Sequence, residues 1–192
     1  MTEIEICSCS VPIAHGIMPG MDMPVALKQR KGRGAASNAS GRFEAERRLA
    51  FDDGWGAADE EPSPLATTLS VDSTRTIIAR NDSPDIGFDR SINPYRGCEH
   101  GCIYCYARPS HAYLGLSPGL DFESRLFYKP QAPKLLAGEL RKKGYSCRPI
   151  ALGSNTDPYQ PVERKLGVTR AISLRMSRSR WISADLVTIV TG

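Results

Sequence analysis

The sequence predicts an α/β fold in which short strands alternate with helices and pair in parallel. Beyond a cysteine-rich loop near residue 100, apolar segments follow one another as strand, helix, strand, helix and strand, an order typical of parallel βα units. Residues 150–152 and 186–190 are continuously apolar, as expected of parallel strands that are buried on both faces. With 41% hydrophobic and 24% charged residues in a chain of 192, the composition is that of a globular protein.

The first third of the chain is predicted to contain little packed structure. We expect residues 1–69 to form a low-complexity, disordered arm and linker, and residues 70–192 to form the folded core. Residues 28–48 hold seven basic side chains in a stretch rich in Gly, Ala, Ser and Asn, and residues 52–61 carry five acids and no base. Segments of this kind lack the apolar side chains that would offset the entropy cost of ordering them.

Apolar patterns and turn residues predict the elements on either side of the cysteine loop. A strand over 76–80 precedes a turn-like Asn-Asp-Ser-Pro segment, and an extended piece over 88–93 leads into the loop. In the helix expected over 132–143, three leucines share one face, a proline occupies the first turn and Gly144 follows the end. The predicted elements after the loop are a strand at 126–128, the helix at 132–143, a strand at 149–153, a helix capped by Thr169, and a strand at 186–190.

The charge is unevenly distributed along the chain. Residues 1–97 have a net charge of −3 and residues 98–192 a net charge of +7. The cationic half suits an anionic partner such as nucleic acid or a phosphorylated substrate, and the alternative is a solvated basic surface. No stretch approaches the roughly 18 apolar residues of a membrane span, and the N-terminus lacks the pattern of a secretory signal.

Three cysteines lie close together in the loop, at Cys98, Cys102 and Cys105, with the spacing C-x3-C-x2-C. Without secretion thiols stay reduced, so this cluster predicts a metal site rather than disulfides. Three thiolates on one tight loop can hold three corners of a [4Fe–4S] cluster and leave one iron open. Structural zinc, with His100 as a fourth ligand, is the alternative that the residues leave open.

The cysteine segment resembles the signature of radical S-adenosylmethionine (SAM) enzymes. The wider run over 92–130, the segment 151–170, and the KGRGA and DDGW elements at 31–35 and 52–55 are similar to the spore photoproduct lyase-like, or DNA-repair-photolyase-like, branch. The resemblance implies the N-terminal portion of a partial (β/α) barrel. It also implies a [4Fe–4S] cluster and SAM as cofactors, with reductive cleavage of SAM to a 5′-deoxyadenosyl radical.

The resemblance also assigns roles to individual residues. Cys98, Cys102 and Cys105 match the iron ligands, and Tyr104 stands where an aromatic or apolar side chain adjoins the SAM adenine. Tyr106 matches a tyrosine implicated in radical hydrogen transfer, a role that we leave open. The family's Gly-Gly-Glu element is not visible, and its nearest candidate lies at the C-terminal end of a predicted strand, where barrel enzymes place working groups. The resulting candidates for SAM binding are Ser154, Asn155, Thr156 and Asp157.

The partners and compartment expected from the resemblance are those of an oxygen-sensitive enzyme. They include a one-electron reductant such as flavodoxin or ferredoxin, a nucleic-acid substrate, and the cytoplasm as location. A closed barrel takes roughly 200 residues or more, so the distance from Cys98 to Gly192 predicts a C-terminally truncated product. Two alternatives remain: a non-catalytic iron–sulfur or zinc-binding module, and an inactive remnant that binds a cluster without completing the SAM site.

Overall fold

The computed structural model describes residues 32–44 and 64–178, together with the backbone of 187–189. The acidic segment 52–61, with its DDGW element, and most of the predicted N-terminal arm lie outside these residues. Within them the chain forms mixed α/β structure with short strands and helices, as the alternating pattern predicts. The strands are β1 (Thr68–Val71), β2 (Ile78–Arg80), β3 (Arg90–Ile92), β4 (Tyr95–Arg96), β5 (Arg125–Tyr128), β6 (Ile150–Leu152) and β7 (Val187–Ile189).

The larger sheet has four strands in the order β2-β3-β6-β7. β3 pairs in parallel with β6, and β6 in parallel with β7, whereas β2 is antiparallel to β3. All three residues of β3 and of β6 are buried. The parallel strands predicted from the continuous apolar runs are therefore present at β6 and β7.

The smaller sheet contains three strands in the order β1-β5-β4. β5 was expected to join the parallel strands that follow it, but it pairs with β1 in parallel and with β4 in antiparallel register. The reason lies at Asn93 and Pro94, where the chain leaves β3 and enters β4 in the second sheet; the Lys129 N–H donates to the Pro94 carbonyl there at 3.1 Å. β1 has four exposed residues and no apolar pattern, so the sequence did not predict it. The described strands thus form two small sheets and no barrel.

The helices cover the larger sheet and flank the cysteine loop. A 3-10 helix spans Arg108–Leu114, and the α-helices are α1 (Leu120–Ser124), α2 (Ala132–Leu140), α3 (Glu163–Leu166) and α4 (Val168–Ser177). α2 packs against α4, and its buried Leu136 and Leu140 join Ile92, Ile150 and Ile172 in the main core. None of the helices in the described residues is both long and apolar enough to cross a bilayer.

A buried tyrosine ties this core to the start of α4. The Tyr95 hydroxyl donates to a carboxylate oxygen of Glu163, which also accepts the N–H groups of Thr169 and Arg170 at 3.0 Å each. Burial, with the neighbouring carboxylate, raises the pKa of Tyr95. The predicted cap at Thr169 differs from the structure: Gly167, in a left-handed conformation, precedes the helix, and the Thr169 hydroxyl donates to the Pro158 carbonyl at 2.6 Å.

Residues 32–44 contact the body of the protein, which differs from the unpacked arm expected for this stretch. Asn38 exchanges hydrogen bonds with Asp121, through its amide N at 3.1 Å and to the Asp121 N–H at 3.0 Å. The Leu120 N–H donates to the Ser37 carbonyl at 3.1 Å, and the Ser117 hydroxyl donates to the Ala39 carbonyl at 2.5 Å. The segment is held by backbone and polar groups, which a hydropathy pattern does not register.

A leucine truncation tests the placement of α2 on the sheet. Leu136→Ala removes a side chain with no exposed surface, so we expect it to lower the free energy of unfolding by about 2–5 kcal/mol. Leu174→Ala, at a position that is 49% exposed, is the matched control and is expected to change it by no more than about 0.5 kcal/mol. Urea unfolding followed by circular dichroism measures both; equal losses would contradict the assignment of Leu136 to the core.

Candidate functional site

The cysteine loop turns sharply at two glycines. Gly97 and Gly101 have φ values of 80° and 63°, which L residues with side chains rarely adopt. A Cβ atom on Gly97 would lie 2.9 Å from the Phe122 carbonyl oxygen, and one on Gly101 would lie 2.4 Å from the Cβ of Arg33. The loop therefore needs glycine at both positions for conformation and for space.

The three thiols of the loop occupy different environments. Cys98 is buried, Cys105 half-buried and Cys102 exposed, and none of them forms a disulfide. Burial raises the pKa of the Cys98 thiol to about 11, although the N–H groups of His100 and Asp157 donate to its sulfur and oppose the shift. The neighbouring Cys105 also contributes to the rise, and its side chain packs against the small cluster formed by Cys98, Ala107 and Phe122.

The residue types of this loop suit an iron–sulfur cluster, but their side chains do not come together around one point. Three thiols within eight residues are the ligands that such a cluster takes. In the described part of the chain, however, no three His, Cys, Asp or Glu side chains converge closely enough to hold a metal ion. Cluster binding would therefore require the three thiols to come closer together.

The loop after β6 lies directly against the cysteine loop. The Tyr106 hydroxyl donates to the Ser154 carbonyl, and Asp157 Oδ2 lies 3.3 Å from His100 Nε2. The Gln160 side chain accepts the Glu99 N–H at 3.0 Å and donates to the Gly97 carbonyl at 3.2 Å. The fold thus brings together the two segments that the sequence separately singled out.

The four candidate SAM-binding residues differ in what they can still bind. Thr156 is buried, and its hydroxyl donates to the Tyr95 carbonyl at 3.0 Å, so it supports the loop. Ser154 Oγ accepts the Asn93 amide N–H at 3.2 Å, and the Asn155 side chain donates to Ser110 Oγ at 3.2 Å. Asp157 Oδ1 accepts the Tyr159 N–H at 2.7 Å. The Ser154 hydroxyl hydrogen, the Asn155 amide oxygen and the remaining lone pair of Asp157 Oδ2, which also faces His100, are the groups suited to a ligand.

The two tyrosines of the cysteine loop face outward. Tyr104 is 99% exposed and Tyr106 is 75% exposed, with Ile103 beside them at 71%. Partial burial and the nearby Cys105 raise the pKa of the Tyr106 hydroxyl. Tyr104 therefore extends into solvent, whereas the Tyr106 hydroxyl bonds to the loop after β6.

A fully buried carboxylate, which the sequence did not reveal, fixes the other side of the cysteine loop. Glu123 has no exposed surface, and it accepts the backbone N–H groups of Arg33 at 2.6 Å, Gly34 at 3.1 Å and Ala35 at 2.7 Å. Its fourth partner is the Arg108 guanidinium. Burial alone would raise the pKa of Glu123, but the bonds from Arg108 and these N–H groups together hold it below its ordinary value.

Arg108 connects this carboxylate to the cysteine loop itself. Its Nε and Nη2 donate to the Cys102 carbonyl at 3.0 and 2.9 Å, and Nη2 also contacts Glu123. The Gly34 backbone approaches the same loop so closely that a Cβ atom there would lie 1.7 Å from the Gly101 carbonyl oxygen. We call this set of contacts, made by residues 33–35, Arg108 and Glu123, the brace. The feature of the sequence that could have indicated the brace is the pair of glycines in Gly32-Arg33-Gly34, because no helix or strand pattern explains them.

His100, the fourth ligand in the zinc alternative, lies close to a carboxylate in this structure. Its Nε2 faces Asp157, and its side chain is 41% exposed. Cys147 is exposed and precedes β6, at the opposite strand end from the cysteine loop. Cys7 and Cys9 lie outside the described residues.

Comparison with known proteins gives relatives without a described activity. No protein-family profile and no solved structure matches the chain. Proteins of Mycobacterium bovis and of two strains of Mycobacterium tuberculosis, each described only as uncharacterized, are 42% identical to it over 85 residues. The match covers 44% of this chain and 25% of each relative, so the chain spans about a quarter of their length.

A pair of glycine substitutions tests the close approach in the brace. Gly34→Ala places a methyl group against the Gly101 backbone, so we expect residues 32–44 to lose protection from hydrogen exchange by at least about tenfold. Gly138→Ala, on α2 with nothing within 4 Å of the added Cβ, is expected to keep that protection and to raise the free energy of unfolding by about 0.5–1 kcal/mol. Unchanged exchange in Gly34→Ala would contradict the close approach.

The buried carboxylate predicts a pH dependence. Glu123→Gln should lower the free energy of unfolding by about 3 kcal/mol at pH 7, because it leaves Arg108 without its charge partner. Since folding lowers the pKa of Glu123 from its ordinary 4.5, the stabilisation is present above that pH and is lost as the pH falls through the lowered value. Denaturant unfolding from pH 7 to pH 2 should therefore show the wild-type and variant curves converging in acid. Asp85→Asn, at an exposed acid, should show no comparable gap at pH 7.

Proposed function

We propose that this chain is the cluster-binding portion of a radical SAM enzyme similar to the spore photoproduct lyase-like branch. The observation that carries the proposal is the contact between the C-x3-C-x2-C loop and the loop after the parallel strand β6. This contact puts the loop that carries the three thiols beside polar groups at the carboxyl end of a parallel strand, where barrel enzymes place their catalytic and binding groups. β3, β6 and β7 would be part of the partial barrel.

In this proposal Cys98, Cys102 and Cys105 hold a [4Fe–4S] cluster. When bound, such a cluster supplies one electron to SAM, whose cleavage yields methionine and a 5′-deoxyadenosyl radical. The thiols must lose their protons to serve as ligands, and the N–H groups of His100 and Asp157 stabilise the Cys98 thiolate. The brace fixes the Cys102 carbonyl, and thereby the backbone from which that ligand extends.

The loop after β6 supplies the polar groups that would orient SAM. The Asn155 N–H is held by the Asn93 side chain at 2.8 Å, so this part of the loop is fixed before a ligand arrives. Asp157 can accept a hydrogen bond from an ammonium group, and the Ser154 hydroxyl can donate one to a carboxylate. Thr156 takes a supporting role, because its hydroxyl already bonds to Tyr95.

The substrate and the reductant follow from the same resemblance. A nucleic-acid substrate agrees with the net charge of +7 on residues 98–192. A flavodoxin or ferredoxin would supply the electron, and the outward-facing Ile103, Tyr104 and Tyr106 lie on the cysteine loop where either partner would approach. Binding of the nucleic acid and of the reductant is tested after cluster binding has been measured.

Anaerobic reconstitution tests the proposal. The chain is supplied with iron and sulfide, then with SAM and dithionite, and iron content, electron paramagnetic resonance and 5′-deoxyadenosine are measured. We expect about four irons per chain in the wild type and in Cys147→Ala, and a loss of at least about tenfold in bound cluster for Cys102→Ala.

The outcomes separate the candidate functions. Cluster binding with formation of 5′-deoxyadenosine supports the enzyme. A cluster that does not cleave SAM favours the cluster-binding remnant, and zinc uptake in place of iron favours the structural module. Full iron retention in Cys102→Ala would overturn the ligand assignment.

A further inference from the structure

A polar cavity lies at the other end of the larger sheet from the cysteine loop. It has a volume of about 320 Å³ and is lined by residues of β2, the start of β3 and the C-terminal end of α2 with the turn that follows. Because β3 and β6 run toward the cysteine loop, residues before or at their starts, such as Arg90 and Ser146, mark the opposite edge. The cavity is therefore separate from the site described above.

The charges that line this cavity are mostly positive. Its cations are Arg80 on β2, Arg90 on β3, and Lys142 and Lys143 after α2. The one acid of its lining, Glu139, is already engaged, because its carboxylate accepts the N–H groups of Ile77 at 2.6 Å and of Ile78 at 3.3 Å. An anion entering the cavity would meet four cations and a carboxylate whose charge is partly neutralised by backbone donors.

Two buried donors of the lining have no hydrogen-bond partner among the described residues. They are Nε of Arg90, a side chain that is only 3% exposed, and the Tyr145 hydroxyl. Arg90 is otherwise fixed, since its Nη1 and Nη2 donate to the Ser146 carbonyl at 2.6 Å and hydroxyl at 3.2 Å. Asp89 lies 3.8 Å from Arg90 Nε, beyond hydrogen-bond distance, and pairs with Arg148 at 2.9 Å. Buried donors without partners are costly, which points to a ligand that accepts from them.

The position of Arg90 is set before any ligand binds. Its guanidinium stacks on the Tyr145 ring, with the carbon of the group 5.1 Å from the ring centroid. Gly144, with a φ of 83°, turns the chain between the two lysines and Tyr145. A fixed guanidinium, flexible ammonium groups and a phenol hydroxyl together are a donor set suited to the several oxygens of a phosphate group.

We propose that this cavity is a binding site for the phosphate or pyrophosphate group of a small molecule. A volume of about 320 Å³ is at the lower end of the range for ligand pockets, which fits a compact anion rather than a large cofactor. The site stands apart from the cysteine loop and does not depend on the function proposed for it.

Titration calorimetry of the full-length chain with pyrophosphate, at an ionic strength held constant with sodium chloride, tests this proposal. We expect saturable binding with one site per chain. Arg80→Gln with Lys143→Gln should weaken it by at least about tenfold. The matched control, Lys134→Gln with Lys165→Gln, removes the same charge from exposed positions outside the cavity and should change the affinity by less than about twofold.

Tyr145→Phe gives a second readout that a purely structural role would not produce. Because the hydroxyl has no partner among the described residues, its removal should not lower the stability of the chain measured without pyrophosphate. The same variant should weaken pyrophosphate binding by about fivefold.

Three results would overturn the proposal. They are no saturable binding of pyrophosphate, an equal loss of affinity in the two double variants, and binding of a single-stranded oligonucleotide that depends on Arg80 and Lys143 while pyrophosphate does not bind. The last result would assign the cavity to a polymer backbone.

Discussion

The buried carboxylate of Glu123 is the interaction on which the candidate site depends. A carboxylate without exposed surface is stable only when hydrogen bonds replace the water it has lost, and here three consecutive backbone N–H groups and one guanidinium do so. Because Arg108 also holds the Cys102 carbonyl, one charge fixes both the segment 33–35 and the backbone of the cysteine loop. The brace acts together with a direct contact between the loop and α1, in which the Cys98 N–H donates to the Phe122 carbonyl at 2.9 Å.

The opposite wall of the site is organised by Asn93, where the chain passes between the two sheets. Its side chain donates to Ser154 Oγ and accepts the Asn155 N–H, while its carbonyl accepts from the buried amine of Lys129 at 2.9 Å. One residue thus joins the end of β3, the residue after β5 and the loop after β6. The cysteine loop lies between this wall and the brace, in contact with both.

The sequence predicted the elements whose signal is local. The apolar runs at β6 and β7 and the leucine face of α2 each depend on neighbouring residues, and each is present in the structure. The sheet to which β5 belongs depends on β1, an exposed strand without an apolar pattern, and so could not be predicted.

For the candidate site too, local patterns were visible in the sequence, whereas contacts between distant segments were not. The C-x3-C-x2-C spacing can be read from eight consecutive residues. The segment 153–157 is recognisable because it follows a predicted strand. Glu123 and Arg108 are ordinary charged residues until the fold brings 33–35 to them. The hydrogen bond from the Thr156 hydroxyl to the Tyr95 carbonyl likewise depends on a partner 61 residues away.

The contact between residues 33–35 and Glu123 has a consequence for the order of assembly. Its partners are 88 to 90 residues apart, whereas the turns of the cysteine loop are local. Closing a loop of that length costs entropy that is recovered only when α1 and the cysteine loop are already in place to receive the segment. We therefore expect the contact between residues 33–35 and Glu123 to form late in folding, and the cysteine loop to be more accessible on that side until it forms. The cluster proposed above would reach the thiols most easily before that contact forms.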